Sequence, residues 1–457
     1  MQACKTDELV PRPWRATASR ESREKFQPDA PNKNAIMAFM IRKIKKILYF
    51  PLAAYFSFFA KIYLKKWAPT VVVITGSQGK TTLLHLVESQ LGERAIYSHH
   101  ANSSFGVAFH ILGLKRKTFG IIEWPIFFLR APFQIFRKII EKKIYVVEVD
   151  TDRPGEGEFM AKFLNPNIVL WTGISRTHSM NFKVGKNETI EKVTAYDFAY
   201  LAEYARNLVI VNGDIPEVVD EMARVKAKIE VLKKKDYLSE FIVKEKSVEF
   251  KIEKNIYEIP ALVPEAVACS VKMTQLLCKY FNIEMDNNFS KFILPPGRSS
   301  VLVGIKDVTI IDSSYNASLE SVREMLDLFE KYPKNQKWIV LGDMIELGKY
   351  EKEEHIKLAE YIKKLNPANI VFVGPRLSKY TYHALDKELK EKTVFFDGPA
   401  EALEYLLNEI NGGEVILFKG ARFLEGIIEK ILYNKEDAKF LPRRDEVWQS
   451  RRKKWKI

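Results

Sequence analysis

Cysteine is scarce in this 457-residue chain: Cys4, Cys269 and Cys278 are the whole complement, and no two stand in a C-x-x-C pair. That excludes a disulfide scaffold and a zinc ribbon, and it suits a reducing, cytoplasmic compartment. A long apolar run is also lacking. The stretch from Ile47 to Ala60 stops at 14 residues and is interrupted by Pro51, short of the ~20 needed to cross a bilayer. It imitates a secretory signal, but no small-residue cleavage site follows before Val71, so export is not expected. Excess charge is missing from the body of the chain. Of the net +14, residues 1–66 carry +9 and residues 440–457 carry +5, which leaves residues 67–439 balanced. A nucleic-acid groove would leave its cations in the folded domains, so no nucleic-acid partner is expected.

The ends carry the unusual composition. Residues 1–36 are polar, charged and rich in proline and serine, without periodicity, and read as a disordered tail. Residues 37–68 read as a basic and apolar membrane-proximal helix. Arg42, Lys43, Lys45 and Lys46 precede the aromatic-rich run, and Lys61, Lys65 and Lys66 follow it. Such flanks suit contact with an anionic inner leaflet through residues 37–66. Packing against the body is the other reading of the same helix.

From Val71 the chain reads VVVITGSQGKTTLL. A buried strand breaks at Gly76-Ser77-Gln78-Gly79-Lys80-Thr81-Thr82 and restarts as a helix. Glycines let backbone N–H groups turn inward, the helix N-terminus adds partial positive charge, and Lys80 reaches for terminal phosphates. Thr81 stands where a hydroxyl would hold Mg²⁺. Strands and helices then alternate. Strands are expected at Tyr145–Val149, Ile168–Thr172 and Leu208–Asn212, helices at Gly157–Leu164 and Tyr196–Ala205, and a hairpin over Val243–Ile259. The alternation resumes after Pro295-Pro296-Gly297. The fold class is therefore α/β: a central P-loop ATPase domain with a mostly parallel sheet over 69–297, and a C-terminal Rossmann-like α/β domain with a basic tail over 298–457. Residues 115–143 interrupt the first domain with a dense aromatic insertion, Phe119, Trp124, Phe127, Phe128, Phe133 and Phe136, rimmed by Lys115, Arg116, Lys117, Arg130, Arg137 and Lys138. It reads equally as an apolar binding patch or as an insertion folded onto its own domain.

Further motifs complete a set. VVEVDTDRPGEGE presents Glu148 and Asp150 at a strand end, where Mg²⁺ needs oxygen ligands. LWTGISRTHSMNF places His178 after the next strand, and PGR at 296–298, IIDSSYNAS at 310–318 and VLGDMIEL at 340–347 follow. In this order the motifs resemble the Mur ligase family, ATP-dependent amide-forming enzymes of cell-wall peptide synthesis, over about residues 69–432. The likeness is strongest to the branch that adds D-alanyl-D-alanine.

The resemblance implies roles for individual residues. The loop from Gly76 to Thr82 would hold the ATP phosphates, with Thr81 and Glu148 on Mg²⁺ and His178 near a second metal. Arg298 and Asp312 would grip the nucleotide, with Tyr315 and Asn316 along its adenine and ribose. Lys80, Glu148, His178 and Arg298 would be catalytic. Asn102 resembles the first Asn of the family's substrate-side pattern. Asp343, Glu346, Lys419 and Arg422 would lie near the incoming amino substrate. ATP and Mg²⁺ are the implied cofactors, and a cell-wall precursor plus an amino acid or dipeptide the implied partners.

Departures fall on the substrate side. Residues 1–68 are too short and too apolar for the family's uridine-diphosphate-binding domain. The carbamoylated lysine position falls on Thr194, with Lys192 two residues early, and family Asn positions read Ser103 and Gly173. A lipid-linked acceptor is the expectation that follows. The alternatives are another ligase of the superfamily, either folylpolyglutamate-synthase-like or amino-acid polymerising, and a membrane-attached nucleotide-binding scaffold without turnover.

Overall fold

The computed structural model describes residues 33–99, 101–116, 123–176, 181–185, 188–345, 347–365, 367–421, 423–445, 448, 449, 452 and 455, with backbone only for 33–46. The disordered-tail reading thus lies almost wholly outside the described residues. The chain divides into two units, Met1–Leu52 and Ala53–Ile457. Helix α1, Lys33–Trp67, contains Pro51 and begins in the first unit. The described side chains of that unit include Tyr49 and Phe50, whose rings meet edge-on at 5.3 Å.

Within the second unit the first α/β layer holds β1 (Thr70–Thr75), α2 (Lys80–Leu91), β2 (Ala95–Tyr97), α3 (Ser104–Leu112), α4 (Glu123–Arg130) and β3 (Ile144–Val149). It continues through α5 (Glu156–Leu164), β4 (Ile168–Trp171), α6 (Ile190–Glu203), β5 (Leu208–Asn212), α7 (Pro216–Asp220) and β6 (Lys228–Leu232). Its six strands lie in the order β2-β3-β1-β4-β5-β6, every pair parallel. With β1 central and the strand order reversing beside it, the crevice at its carboxyl end is where an open α/β sheet binds ligands.

Both faces of this sheet are covered, as its apolar central strands require. One face packs Val72 and Ile74 with Leu83, Leu86 and Val87 of α2 and with α9 (Val267–Tyr280). The other packs Val71, Val73, Tyr145 and Val147 with Phe56, Ala60, Tyr63 and Trp67 of α1. The part of α1 beyond Ala53 is therefore core. Phe56, Ala60 and Tyr63 are wholly buried, and the Trp67 indole donates to Lys142 O at 2.7 Å. The aromatic insertion divides in the same way. Trp124, Phe127 and Phe128 pack against Phe56 and Phe109, whereas Phe133 and Phe136 stay exposed.

Short α8 (Lys234–Tyr237) leads into an antiparallel sheet of β7 (Leu238–Val243), β8 (Val248–Ile252) and β9 (Asn255–Ile259). The alternating Val248, Phe250 and Ile252 are its buried face. The hairpin turn sits at Glu253-Lys254, with Glu253 at φ 55°.

The second α/β layer begins at β10 (Ser300–Val303) and β11 (Thr309–Ser313), followed by α10 (Leu319–Glu330), β12 (Lys337–Gly342), α11 (Glu351–Ile362), β13 (Asn369–Val373) and α12 (Lys387–Glu391). β14 (Thr393–Phe396), α13 (Pro399–Glu409), β15 (Val415–Lys419) and α14 (Leu424–Ile431) complete it. The strand order is β10-β11-β15-β12-β13-β14, antiparallel at β10–β11 and parallel elsewhere. The parallel strands carry the expected α/β character. β2, β6, β7 and β10 went unforeseen because each is short, or carries charge where a buried strand would be apolar.

Candidate active site

The loop after β1 is shaped by two glycines. Gly76 adopts φ 125°, and a Cβ there would lie 2.4 Å from Thr172 Oγ1, so only glycine fits. Gly79, at φ 75°, turns the chain into α2. Ser77 N donates to Gly173 O at 2.9 Å, and Thr172 Oγ1 donates to Gln78 O at 2.5 Å. The loop is thus clamped to the end of β4.

Lys80, 7 % exposed, donates to Gly76 O at 2.5 Å and pairs with Asp150 at 3.3 Å. Thr81 Oγ1 donates to Glu148 Oε2 at 3.1 Å. Glu148 ends β3 largely buried, and its own N–H donates to Ser98 Oγ at 2.9 Å. A hydroxyl and a carboxylate held together beside a buried lysine form an oxygen donor set suited to a hard divalent cation and a polyphosphate. Asn102 is brought to the same place: its O accepts from Asp150 N at 2.9 Å.

The second layer meets this loop directly. Gln78 Nε2 donates to Glu320 Oε2 at 3.2 Å, in the first turn of α10. Arg176, after β4, bonds Glu191 at 2.6 Å and reaches Glu353 at 2.8 Å and Glu354 at 3.1 Å on α11. Three acids on one guanidinium make it a tie between the two layers.

Asp312 ends β11 with no exposure. Its Oδ1 accepts from Ser314 N at 3.0 Å, whereas its Oδ2 is buried without a partner. Burial, helped by the charge of Glu425, pushes its carboxyl up to about 6. An orphaned acceptor of this kind fits a hydroxyl-bearing ligand. Arg298 lies over the Tyr315 ring at 4.6 Å and Arg443 at 5.7 Å, and Tyr315 is 45 % exposed. Asn316 Oδ1 accepts from Ala317 N at 2.8 Å, and its O accepts from Lys419 Nζ at 2.8 Å. Burial, then the charge of Arg298, draws the Lys419 ammonium down to about 8, against the opposing pull of Glu324 and Asp312. Burial raises Glu324 to about 7.

Asp343, also unexposed, accepts from Arg376 N and Leu377 N, both at 3.1 Å, and pairs with the Arg376 guanidinium at 3.3 Å. Its carboxylate holds the turn after β13. His178, Glu346 and Arg422 lie outside the described residues. Thr194 is buried and bonds back to Ile190 O at 2.7 Å, while Lys192 is exposed. A lysine carbamate therefore has no seat at position 194.

Sequence reasoning passed over Arg176, Glu320 and Asp197. Asp197 accepts from Gly155 N at 2.7 Å and Gly157 N at 3.0 Å, fixing the acidic turn after β3. Nothing in its local sequence marks it. Arg176 lay in plain view inside a quoted motif, but only the fold brings α11 to it. His85, Glu88 and His99 also gather, with their ligand atoms within 4.8 Å of one another. The Glu88 carboxylate lies 3.4 Å from His85 and 3.0 Å from His99, and these contacts account for the cluster without an ion.

Comparison with known families decides the assignment. Residues 74–264 match the Mur ligase middle domain, and residues 297–422 match the Mur ligase, glutamate ligase domain. The chain belongs to the Mur ligase family. Mur ligases are ATP-dependent enzymes that form C–N bonds, and this chain is an enzyme of that class. It is 24 % identical over 388 residues to the UDP-N-acetylmuramoyl-tripeptide–D-alanyl-D-alanine ligase of Bacillus subtilis, covering 82 % of this chain and 78 % of that one. The Borreliella burgdorferi protein of the same name is 23 % identical, over 82 % of this chain and 76 % of its own length. Among solved structures, MurF of Acinetobacter baumannii superposes with a TM-score of 0.67 at 18 % identity, covering 83 % of this chain and 79 % of that one. MurF ligase of Thermotoga maritima in complex with ADP gives 0.65 at 21 % identity, with 84 % of each chain covered. These likenesses carry the fold.

Proposed function

We propose that this Mur ligase activates a carboxylate of a cell-wall precursor with ATP and joins it to the amine of D-alanyl-D-alanine or of another amino acid or dipeptide. The observation that carries the reading is the Thr81–Glu148 pair beside Lys80 on the loop after β1, with Gln78 bonded across to Glu320. A carboxylate resists amines at neutral pH because its oxygen is a poor leaving group. Transfer of the γ-phosphoryl to it creates an acyl phosphate, and the amine then displaces phosphate through a tetrahedral intermediate.

Lys80 neutralises charge developing on the transferred group, and Arg298 supplies a second cation from the other layer. Thr81 and Glu148 are the residues that would hold Mg²⁺, which when bound neutralises phosphate charge. The unpartnered Oδ2 of Asp312 accepts a ribose hydroxyl, while Tyr315 and Asn316 flank the nucleoside. Asn102 faces the acceptor side. Lys419, held by Asn316, and Asp343 are assigned to the incoming-amine side, and the family motifs assign Glu346 and Arg422 the same role. His178 is assigned to a second metal. The Arg176 tie draws the layers together and excludes water, which would otherwise hydrolyse the acyl phosphate. In this reading the enzyme consists of an ATPase part over 69–297 and a closing part over 298–457.

The acceptor's carrier is the finer part of the proposal. The stretch directly before β1 is helix α1, basic and apolar, with no α/β domain between it and the P-loop strand. We put forward a lipid-linked acceptor and a peripheral position at the inner face of the cytoplasmic membrane. The test supplies purified enzyme, magnesium and ATP with UDP-linked or lipid-linked muramyl tripeptide, and with D-alanyl-D-alanine, glutamate or other amino acids. ADP should form in step with a new amide only when acceptor and amine are both present. ADP release that needs neither, with no amide from any pair, overturns the ligase reading. Turnover with the UDP-linked acceptor alone overturns only the carrier.

A further inference from the structure

We propose that the outer flank of α1 and the segment 124–139 form one surface that seats on an anionic lipid bilayer. The two segments run side by side. Tyr55 Oη donates to Phe128 O at 2.8 Å, Tyr63 Oη to Lys138 O at 2.9 Å, and Lys66 Nζ to Ile135 O at 3.3 Å. Facing inward, Phe56, Ala60, Tyr63 and Trp67 are buried against the first sheet. Facing outward are Phe58 at 62 % exposure, Ile126 at 53 %, Leu129 at 72 %, Phe133 at 71 %, Phe136 at 76 % and Ile139 at 45 %. Their exposures amount to on the order of 600 Å² of apolar surface, the upper end of the largest patch on a typical monomer.

Charge selects the occupant. Residues 53–67 and 124–139 together hold six cations and no acid: Lys61, Lys65, Lys66 and Arg130, with Arg137 turned in over the Tyr63 ring and Lys138 paired with Glu141 at 3.3 Å; Glu123 and Glu141 flank the second segment. Lys66 lies over the Phe136 ring at 5.3 Å. The cores of protein–protein interfaces are depleted in lysine. Surfaces that dip into the headgroup layer pair lysine with exposed phenylalanine and leucine. The whole of α1, Lys33–Trp67, also contains eight cations and no acid. The uncharged run of 14 residues is too short to cross a membrane, but the helix continued through Lys61, Lys65 and Lys66, over Ile47–Trp67, is long and apolar enough. From Ala53 onward, however, its inner face belongs to the protein core, so this part lies along the bilayer and does not span it.

This surface deepens the membrane-facing part of the proposed function, but it stands independently of the chemistry. The test compares the full chain with a Leu129→Ser/Phe133→Ser/Phe136→Ser variant in co-sedimentation with phosphatidylcholine vesicles, with and without phosphatidylglycerol. The parent should bind the phosphatidylglycerol vesicles, and the triple variant should bind them at least about tenfold more weakly. A second variant, Lys65→Gln/Lys138→Gln, should lose part of the salt sensitivity of binding. Far-UV circular dichroism and an unchanged thermal unfolding midpoint report that the variants remain folded. Unchanged vesicle binding by the triple variant overturns the proposal. So does a parent that sediments as a dimer and becomes monomeric on the triple substitution, which would make the patch an interface between copies.

Discussion

At the scale of single residues, the site rests on groups held at energetic cost. Lys80 is buried with one carboxylate and one carbonyl for company, and in the proposed function it takes the ATP phosphates. Lys80→Ala should lower kcat by about a thousandfold while leaving thermal unfolding close to the parent's, as calorimetry would report. Asp312 gives a pH-dependent prediction. Its carboxyl is raised from 3.8 to about 6 in the fold, so the folded state holds a proton that the unfolded state has released across that window. The cost of burying its charge is therefore present in full above about pH 6 and fades as pH falls toward 4. Asp312→Asn should gain about 3 kcal/mol of stability well above pH 6 and nothing near pH 4. The same variant should bind ATP more weakly at neutral pH. Denaturant titrations at the two pH values, alongside nucleotide binding, check both halves.

Much of this was legible in the chain. The glycines of the loop, Lys80, Thr81 and Glu148 could be read because consecutive residues carry their geometry: strand, tight turn, helix, strand end. Asp197 and Glu320 could not, because each acts on a partner tens or hundreds of positions away. Thr194 shows the converse. Its position was marked by resemblance, and the structure turns its hydroxyl back onto its own helix.

At the scale of elements, α1 is the instructive case. Its composition suggests a membrane helix, and nothing in its sequence says which side meets the protein. The fold answers: positions 56, 60, 63 and 67 recur at helical spacing and fill the face of the sheet opposite α2. Phe56→Ala should cost about 3–5 kcal/mol, whereas Phe58→Ala, two positions on and 62 % exposed, should change stability by less than about 0.5 kcal/mol. Unfolding midpoints in urea distinguish them. A similar loss from both would mean that the exposed flank is packed in solution. The same reasoning explains why the aromatic insertion was ambiguous. Trp124, Phe127 and Phe128 serve the core, Phe133 and Phe136 face out, and Phe119 lies outside the described residues; residue type alone does not separate the two groups.

For the whole molecule, two parallel α/β layers present their strand ends to each other, joined through Gln78–Glu320 and the Arg176 cluster. The alternation of strands and helices, together with the ordered motifs, revealed this architecture. The contacts between the layers were hidden, since no local pattern reports that α10 and α11 face the loop after β1. In the proposed function, a site divided between layers would let one enzyme admit three reactants and then exclude water. The central claim is that ATP activates a carboxyl group for capture by nitrogen. The most direct measurement follows oxygen-18 from the labelled carboxylate of the acceptor during turnover. The account predicts one labelled oxygen in each phosphate released, and only when amide is formed. Phosphate that emerges without label while amide accumulates would contradict it.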